Sequence, residues 1–179
     1  FNPISYTIPR GARPKIAKPD PFQAFLMSFN TCRPTSRGSI HIRSNHPQEA
    51  PAIQTNCLST EEDIRDVYDG ARVMRQLASC SALSEVIDHE YIPGPQCQSD
   101  EDVLADFRKR AATVYHASCT AMMGTDPSKS VVSPELKVHG VERLRVVDAS
   151  VFPTVTSGNT NAPTIMVAEK AAEMIMAEE

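Results

Sequence analysis

Three stretches in the last third of the chain decide how the sequence is read: Tyr115–Gly124 (YHASCTAMMG), Val138–Pro153 (VHGVERLRVVDASVFP) and Ser157–Thr164 (SGNTNAPT). Within the second, Leu144 to Val147 (LRVV) predicts a short strand ending at Asp148, whose carboxylate is placed to cap Ser150 and its neighbours. The third leads into a helix predicted from Pro163 to about Ala177. A proline in the first turn loses nothing there, because its missing N–H would have no intrahelical partner. Ile165, Met166, Ala168, Ala172 and Ile175 are expected to pack inward from that helix.

Upstream of Tyr115, a helix is predicted from about Asp100 to Tyr115. Ser99 is its cap, and Val103, Leu104, Phe107, Ala111 and Val114 lie on its buried side. It would deliver the chain directly to His116. Before it, Tyr91–Cys97 (YIPGPQC) carries two prolines and a glycine and reads as a loop. An earlier helix opens at Ser59 or Thr60, where a side-chain oxygen can cap the first turn and Glu61, Glu62 and Asp63 favour the positive end of the helix dipole. Ile64, Val67, Tyr68, Ala71, Met74 and Leu77 follow at helical spacing as one apolar stripe.

Further upstream the period changes. Ser39–Arg43 (SIHIR) alternates as a strand with Ile40 and Ile42 on one face and Ser39, His41 and Arg43 on the other. Phe22–Phe29 (FQAFLMSF) is compatible with a buried strand, and Pro51–Asn56 with a short edge strand. Five prolines between Phe1 and Pro21 exclude a regular helix there. The fold class expected from the residues is α+β, with an antiparallel sheet solvated on one face.

Bulk properties narrow the function classes. With 179 residues, 41% of them hydrophobic and 22% charged, the chain can bury a core. A net charge of −4 offers no basic field for nucleic acid or an anionic membrane surface. No apolar run approaches the roughly 20 residues of a spanning helix. The five cysteines (Cys32, Cys57, Cys80, Cys97, Cys119) form no C-x-x-C pair. They read as mostly buried thiols of a reducing compartment, hence a cytoplasmic protein, and not as a disulfide or zinc framework. The five histidines give no i, i+4 pair for a metal-binding helix face. The sequence opens at Phe1 with neither Met nor a signal-like segment, so it is expected to begin within a longer protein.

In their order and spacing the three motifs closely resemble the carboxy-terminal region of the glucose-methanol-choline oxidoreductase family, in particular its choline dehydrogenase-like and hydroxymethylfurfural oxidase-like members. Ser36–Pro47 (SRGSIHIRSNHP) is similar to the strand that opens the family's substrate-domain segment. The resemblance implies an FAD-binding domain of Rossmann type, interrupted by a substrate domain on an antiparallel sheet. Residues 1–20 would be a lead-in, 21–112 substrate domain, and 113–179 the segment completing the FAD domain and active site. None of the seven glycines forms G-x-G-x-x-G, so the turn that cradles dinucleotide phosphates is expected in an amino-terminal portion that would be this chain's partner.

The implied reaction is oxidation of a small alcohol to a carbonyl by bound FAD. His116 matches the family's catalytic histidine, and a histidine suits a general base because its ordinary pKa of about 6.5 lies near working pH. The residue-level alternative is a histidine satisfying the last carbonyls of the preceding helix. Asn161 matches a second active-site position that holds His or Asn, where its amide could donate to the substrate oxygen. As a plain sequence feature it is a helix-entry asparagine.

Asp148 and Ala149 match a contact with the ribityl or pyrophosphate part of the cofactor. Ala162 and Thr164 match the helix start that faces the flavin's pyrimidine edge. Family members commonly have glycine where Cys119 stands. A Cys119–His116 nucleophilic pair is the weaker reading of that cysteine. His41 is expected on a solvated strand face and His139 as a structural loop residue. The alternatives for the whole are a hydroxynitrile lyase on the same fold and a catalytically silent fragment or substrate-domain module.

Overall fold

The computed structural model describes residues 19–178. The expected proline-rich lead-in therefore lies almost wholly outside the described residues. The order of elements is β1 (Ser39–His41), β2 (Ala52–Gln54), α1 (Glu61–Ser79), α2 (Ser81–Ser84), α3 (Asp100–Arg110), a 3-10 turn (Ala149–Val151) and α4 (Asn161–Met176). Helices and a small antiparallel sheet make an α+β arrangement. β1 and β2 pair with Ser39 opposite Gln54, Ile40 opposite Ile53 and His41 opposite Ala52.

The sheet is smaller and more open than the alternation predicts. Ile42 lies beyond β1 and is 89% exposed, and Ile53 is 65% exposed, so neither face of this pair is covered. Phe22–Phe29 is not a strand. It runs as irregular chain with one isolated bridge residue, Leu26. Its aromatic rings explain why: Phe22 meets Tyr91 edge-on at 5.1 Å and Phe29 meets Phe107 of α3 at 5.7 Å. Phe29 also lies over Gly70, where an added Cβ would come within 2.3 Å of the ring. An apolar run whose side chains fit a helix surface has no need of ladder partners.

α1 begins as its sequence dictates. Thr60 has an extended backbone and its Oγ1 accepts the Asp63 N–H at 3.3 Å. The stripe is correct in phase, although only Val67 is fully buried and Leu77 is 44% exposed. Asp63 is 3% exposed and clamps the preceding loop onto the helix start. Its carboxylate accepts the backbone N–H of Thr35 at 2.7 Å, that of Ser36 at 3.0 Å, and the hydroxyls of both. Ser36 in turn accepts the Ser59 N–H at 2.9 Å. α3 carries a reciprocal capping box between Ser99 and Asp102, and Arg72 of α1 reaches Asp100 with both carboxylate oxygens at 2.9 Å. α3 stops at Arg110, four residues after Asp106, which pairs with it. The predicted extension to Tyr115 is replaced by irregular chain, and Ala111 and Val114 are exposed.

The carboxy-terminal part has its own core of Val132, Leu136, Val151, Phe152, Val167 and Ala171. Leu144–Val147 contributes one bridge, Arg145 to Lys137, and no strand. α4 buries Val167 and Ala171, while Ile165, Met166 and Ile175 are 54%, 60% and 44% exposed. The inward face is thus rotated about the helix axis from the one expected, onto Val167 and Ala171. Apolar side chains lie on both sides of α4, with Ile165 and Met166 exposed beside Glu169, Lys170 and Glu173, so the apolar pattern does not single out the strip that packs. Glu178 fixes its end, holding Lys137 and Arg145 each at 2.7 Å. The cysteine expectation also fails: Cys32, Cys57 and Cys80 are exposed, Cys97 is buried and Cys119 is half-buried. All five are free thiols.

The Asp63 clamp has a pH consequence. Burial alone would raise its pKa, but the donors from Ser36 and Thr35 outweigh burial and hold it at about 2. A depressed carboxylate pKa stabilises the fold above the unfolded value of roughly 4 and loses that contribution as pH falls towards 2. Asp63→Asn presents an amide to backbone N–H donors and is expected to cost about 2 kcal/mol at neutral pH. Urea unfolding at several pH values should show the gap between variant and parent closing from pH 4 downwards.

Candidate active site

The sequence motifs converge through main-chain hydrogen bonds. Cys119, Ala121 and Met123 donate their N–H groups to the carbonyls of Ala149, Ser150 and Val151 at 3.3, 2.9 and 2.8 Å. Every second N–H of the 119–123 segment is taken up in this way. The tight 3-10 turn presents three successive carbonyls to meet them. Asp148 sets that turn, since its Oδ1 accepts the Ser150 N–H at 2.7 Å. The capping role read from sequence for Asp148 is therefore present, and Ala149 contributes its backbone oxygen.

The second half of the frame is a nested loop. Val131 donates to Met122 O at 2.9 Å, Gly124 to Val132 O at 2.9 Å, and His139 to Val131 O at 3.0 Å. The His139 ring lies 3.1 Å from both Gly124 O and Ser130 Oγ. His139 is a structural loop residue, as expected. His41 is exposed on its strand.

His116 stands clear of α3, six residues beyond its last helical residue, so it does not serve that helix's terminal carbonyls. Its side chain is half-buried. Nδ1 lies 3.3 Å from Oγ1 of Thr160, a residue 44 positions further along the chain. Thr160 immediately precedes Asn161, the first residue of α4. One contact therefore joins the first motif to the third through Nδ1, the ring nitrogen nearer the backbone. Asn161 and Ala162 are exposed, and Thr164 is half-buried, with its N–H and Oγ1 donating to Thr160 O at 3.0 and 2.6 Å.

The start of α4 differs from those of α1 and α3. Each of those has an extended cap residue whose side chain accepts a backbone N–H, and three acidic residues in the first turn. α4 has neither a side-chain cap nor a first-turn acid. Its Asn161 and Ala162 N–H groups have no side-chain cap, at the end of a helix that carries roughly half a positive charge. Such an end accommodates an anionic or electron-rich group.

Two backbone positions near the histidine are unusual. Tyr115 has φ +63° and Cys119 has φ +69°, both in the left-handed region that favours glycine. Cys119 packs against the carboxy-terminal core, its Sγ 3.4 Å from Ser118 Oγ. Its neighbour is thus a serine, and no hydrogen bond joins its thiol to His116 among those described. Of the residues that shape the site, Thr160 was not singled out by the sequence. The available signal was a threonine at a helix entry between two asparagines, a position normally read as a cap.

Residues 34–168 match the family described as GMC oxidoreductase. Over 160 residues, 88% of this chain, the sequence is 45% identical to a mitochondrial choline dehydrogenase of Mus musculus. Over 143 residues, 80% of the chain, it is 46% identical to an alcohol dehydrogenase [acceptor] of Pseudomonas putida. The matches span 27% and 26% of those relatives, so the chain corresponds to about a quarter of their length. An FAD-dependent oxidoreductase from Chaetomium thermophilum has a similar structure, with TM-score 0.78 and 32% identity over 82% of this chain and 26% of that one.

The positive φ at Cys119 makes a testable demand on the backbone. An L-residue in this conformation costs about 1–2 kcal/mol relative to its preferred one. Cys119→Gly is therefore expected to stay within about 1 kcal/mol of the parent, relief of strain offsetting lost packing. Cys119→Val should destabilise by more than about 2 kcal/mol, because a β-branched side chain is excluded there. Thermal unfolding compares the two, and equal tolerance of valine and glycine would refute the backbone argument. The match over residues 34–168 at this identity leaves one conclusion about kinship: the chain belongs to the GMC oxidoreductase family.

Proposed function

We propose that this chain is the carboxy-terminal part of an FAD-dependent alcohol oxidase or dehydrogenase, and that it forms one wall of the active site. The observation that carries the reading is the meeting of His116 with the uncapped start of α4. His116 is the general base: its Nε2 accepts the hydroxyl proton of an alcohol as the C–H bond of the carbinol carbon breaks. Asn161 donates from its amide to the same oxygen and steadies the negative charge that develops there. FAD, when bound, supplies the acceptor for the departing hydride. The names of the relatives, an alcohol dehydrogenase and a choline dehydrogenase, support a small alcohol as substrate.

The residues present fit a flavin at this place. Ala162 and Thr164 belong to a first turn with no side-chain cap and no competing carboxylate, in which the Thr164 N–H is already given to Thr160 O and the Ala162 N–H is left to suit the electron-rich pyrimidine edge of the ring. Asp148 and Ala149 lie at a turn where backbone groups can meet the ribityl or pyrophosphate portion. Residues 113–179 are on this reading the return of the chain into a Rossmann-type FAD domain, and 21–112 belong to the substrate domain.

The phosphate-binding turn, and with it most of the cofactor site, is assigned to an amino-terminal portion. Two features favour such a partner: the missing G-x-G-x-x-G and the apolar side chains Ile165, Met166 and Met176 of α4, each more than half exposed.

The test is anaerobic mixing of the flavin-loaded protein with a panel of primary alcohols, followed by the bleaching of the flavin. His116→Ala is expected to slow reduction by 10² to 10⁴, the usual contribution of a general base. A fall of less than about tenfold would remove His116 from that role. Asn161→Ala should slow reduction as well, and weakened flavin retention in that variant would reveal a further role in holding the cofactor.

A further inference from the structure

Thr160 occupies a helix-entry position without doing what a threonine does there. Thr60 and Ser99 have extended backbones, with ψ of 152° and 159°, and each hydroxyl accepts an N–H of the first turn. Thr160 has φ −78° and ψ −11°, a helical conformation, and its hydroxyl caps nothing. Forgoing a cap leaves first-turn N–H groups of the helix without that partner. The hydroxyl instead lies 3.3 Å from Nδ1 of His116. Its backbone is held in that conformation by Thr164, which donates both its N–H and its hydroxyl to Thr160 O.

We propose that Thr160 is the positioning residue for His116. Its Oγ1 accepts the Nδ1–H of the imidazole and so fixes the tautomer whose free lone pair is on Nε2. The inference rests on the general-base reading of His116, because only a base needs that particular nitrogen unprotonated. The alcohol O–H bond breaks, its proton passes to Nε2, and the Nδ1–H bond to Thr160 persists in the imidazolium that forms. A ring free to rotate or to exchange tautomers would present a protonated nitrogen to the alcohol for part of the time.

The test uses the flavin-loaded protein and three variants. Thr160→Val is expected to lower the limiting rate of flavin reduction about tenfold, the effect of losing one ordinary hydrogen bond, with substrate affinity unchanged. Thr160→Ser, which keeps the hydroxyl, should restore the rate to within about twofold of the parent. Equal loss in the serine and valine variants, or no loss in valine, overturns the proposal. His116→Ala separates the two claims: if it leaves the rate intact, the base reading fails on its own account.

A second readout needs no activity. In protein carrying ¹⁵N-labelled histidine, the His116 signal, assigned by its loss in His116→Ala, should show Nδ1 protonated and Nε2 unprotonated. In Thr160→Val the two tautomers should mix. A parent protein with the proton on Nε2 contradicts the proposal whatever the rates are.

Discussion

The three hydrogen bonds from Cys119, Ala121 and Met123 to the carbonyls of the 149–151 turn are the constraint on which the site depends. They lay the histidine segment along the turn that Asp148 caps, over a core to which Val132, Leu136, Val151, Phe152, Val167 and Ala171 contribute. α4 takes its place on that core through Val167 and Ala171, and its first turn is thereby brought to His116. Little regular secondary structure is involved. Between Ala111 and Thr160 the chain is turns, bridges and one 3-10 turn, so the position of each side chain rests on specific hydrogen bonds and on left-handed residues such as Tyr115, Cys119, Leu136 and Arg143.

Legibility in the sequence followed the physics of each element. Helix starts were read correctly where a cap and an acidic turn coincide, at Thr60 and Ser99, because capping is local chemistry. The end of α3 was overrun, since Ala111, Val114 and Tyr115 continue its apolar pattern without any glycine to stop it, and the left-handed turn at Tyr115 has no local cause in its residue type. LRVV has the composition of a strand but lies where its neighbours offer one bridge and no ladder. The inward face of α4 could not be read from a helix whose apolar residues spread beyond one strip, reaching the side that bears Glu169, Lys170 and Glu173. Of the candidate site, His116 and the α4 start were legible as motifs. Thr160 was not, because its role depends on a backbone conformation that makes its hydroxyl unavailable as a cap.

The same structure bears on how much of a catalyst this chain is. Among the described residues few are fully buried, the two-stranded sheet is open on both faces, and α4 leaves Ile165, Met166 and Met176 more than half exposed. Those are the surfaces of a part, and the chain spans about a quarter of the relatives it matches. In the proposed reading the segment contributes proton transfer and orientation, while cofactor retention lies mainly with the amino-terminal portion. For that task the histidine needs a fixed orientation, a defined tautomer and an alcohol held against it.

The most direct test of the active-site wall is a crystal structure of the flavin-loaded protein with a bound alcohol analogue. The account predicts Nε2 of His116 and the amide of Asn161 both within hydrogen-bond reach of the analogue's oxygen, with the first turn of α4 against the flavin ring. A structure in which the flavin and the analogue lie away from His116, with the start of α4 turned to solvent, would contradict it.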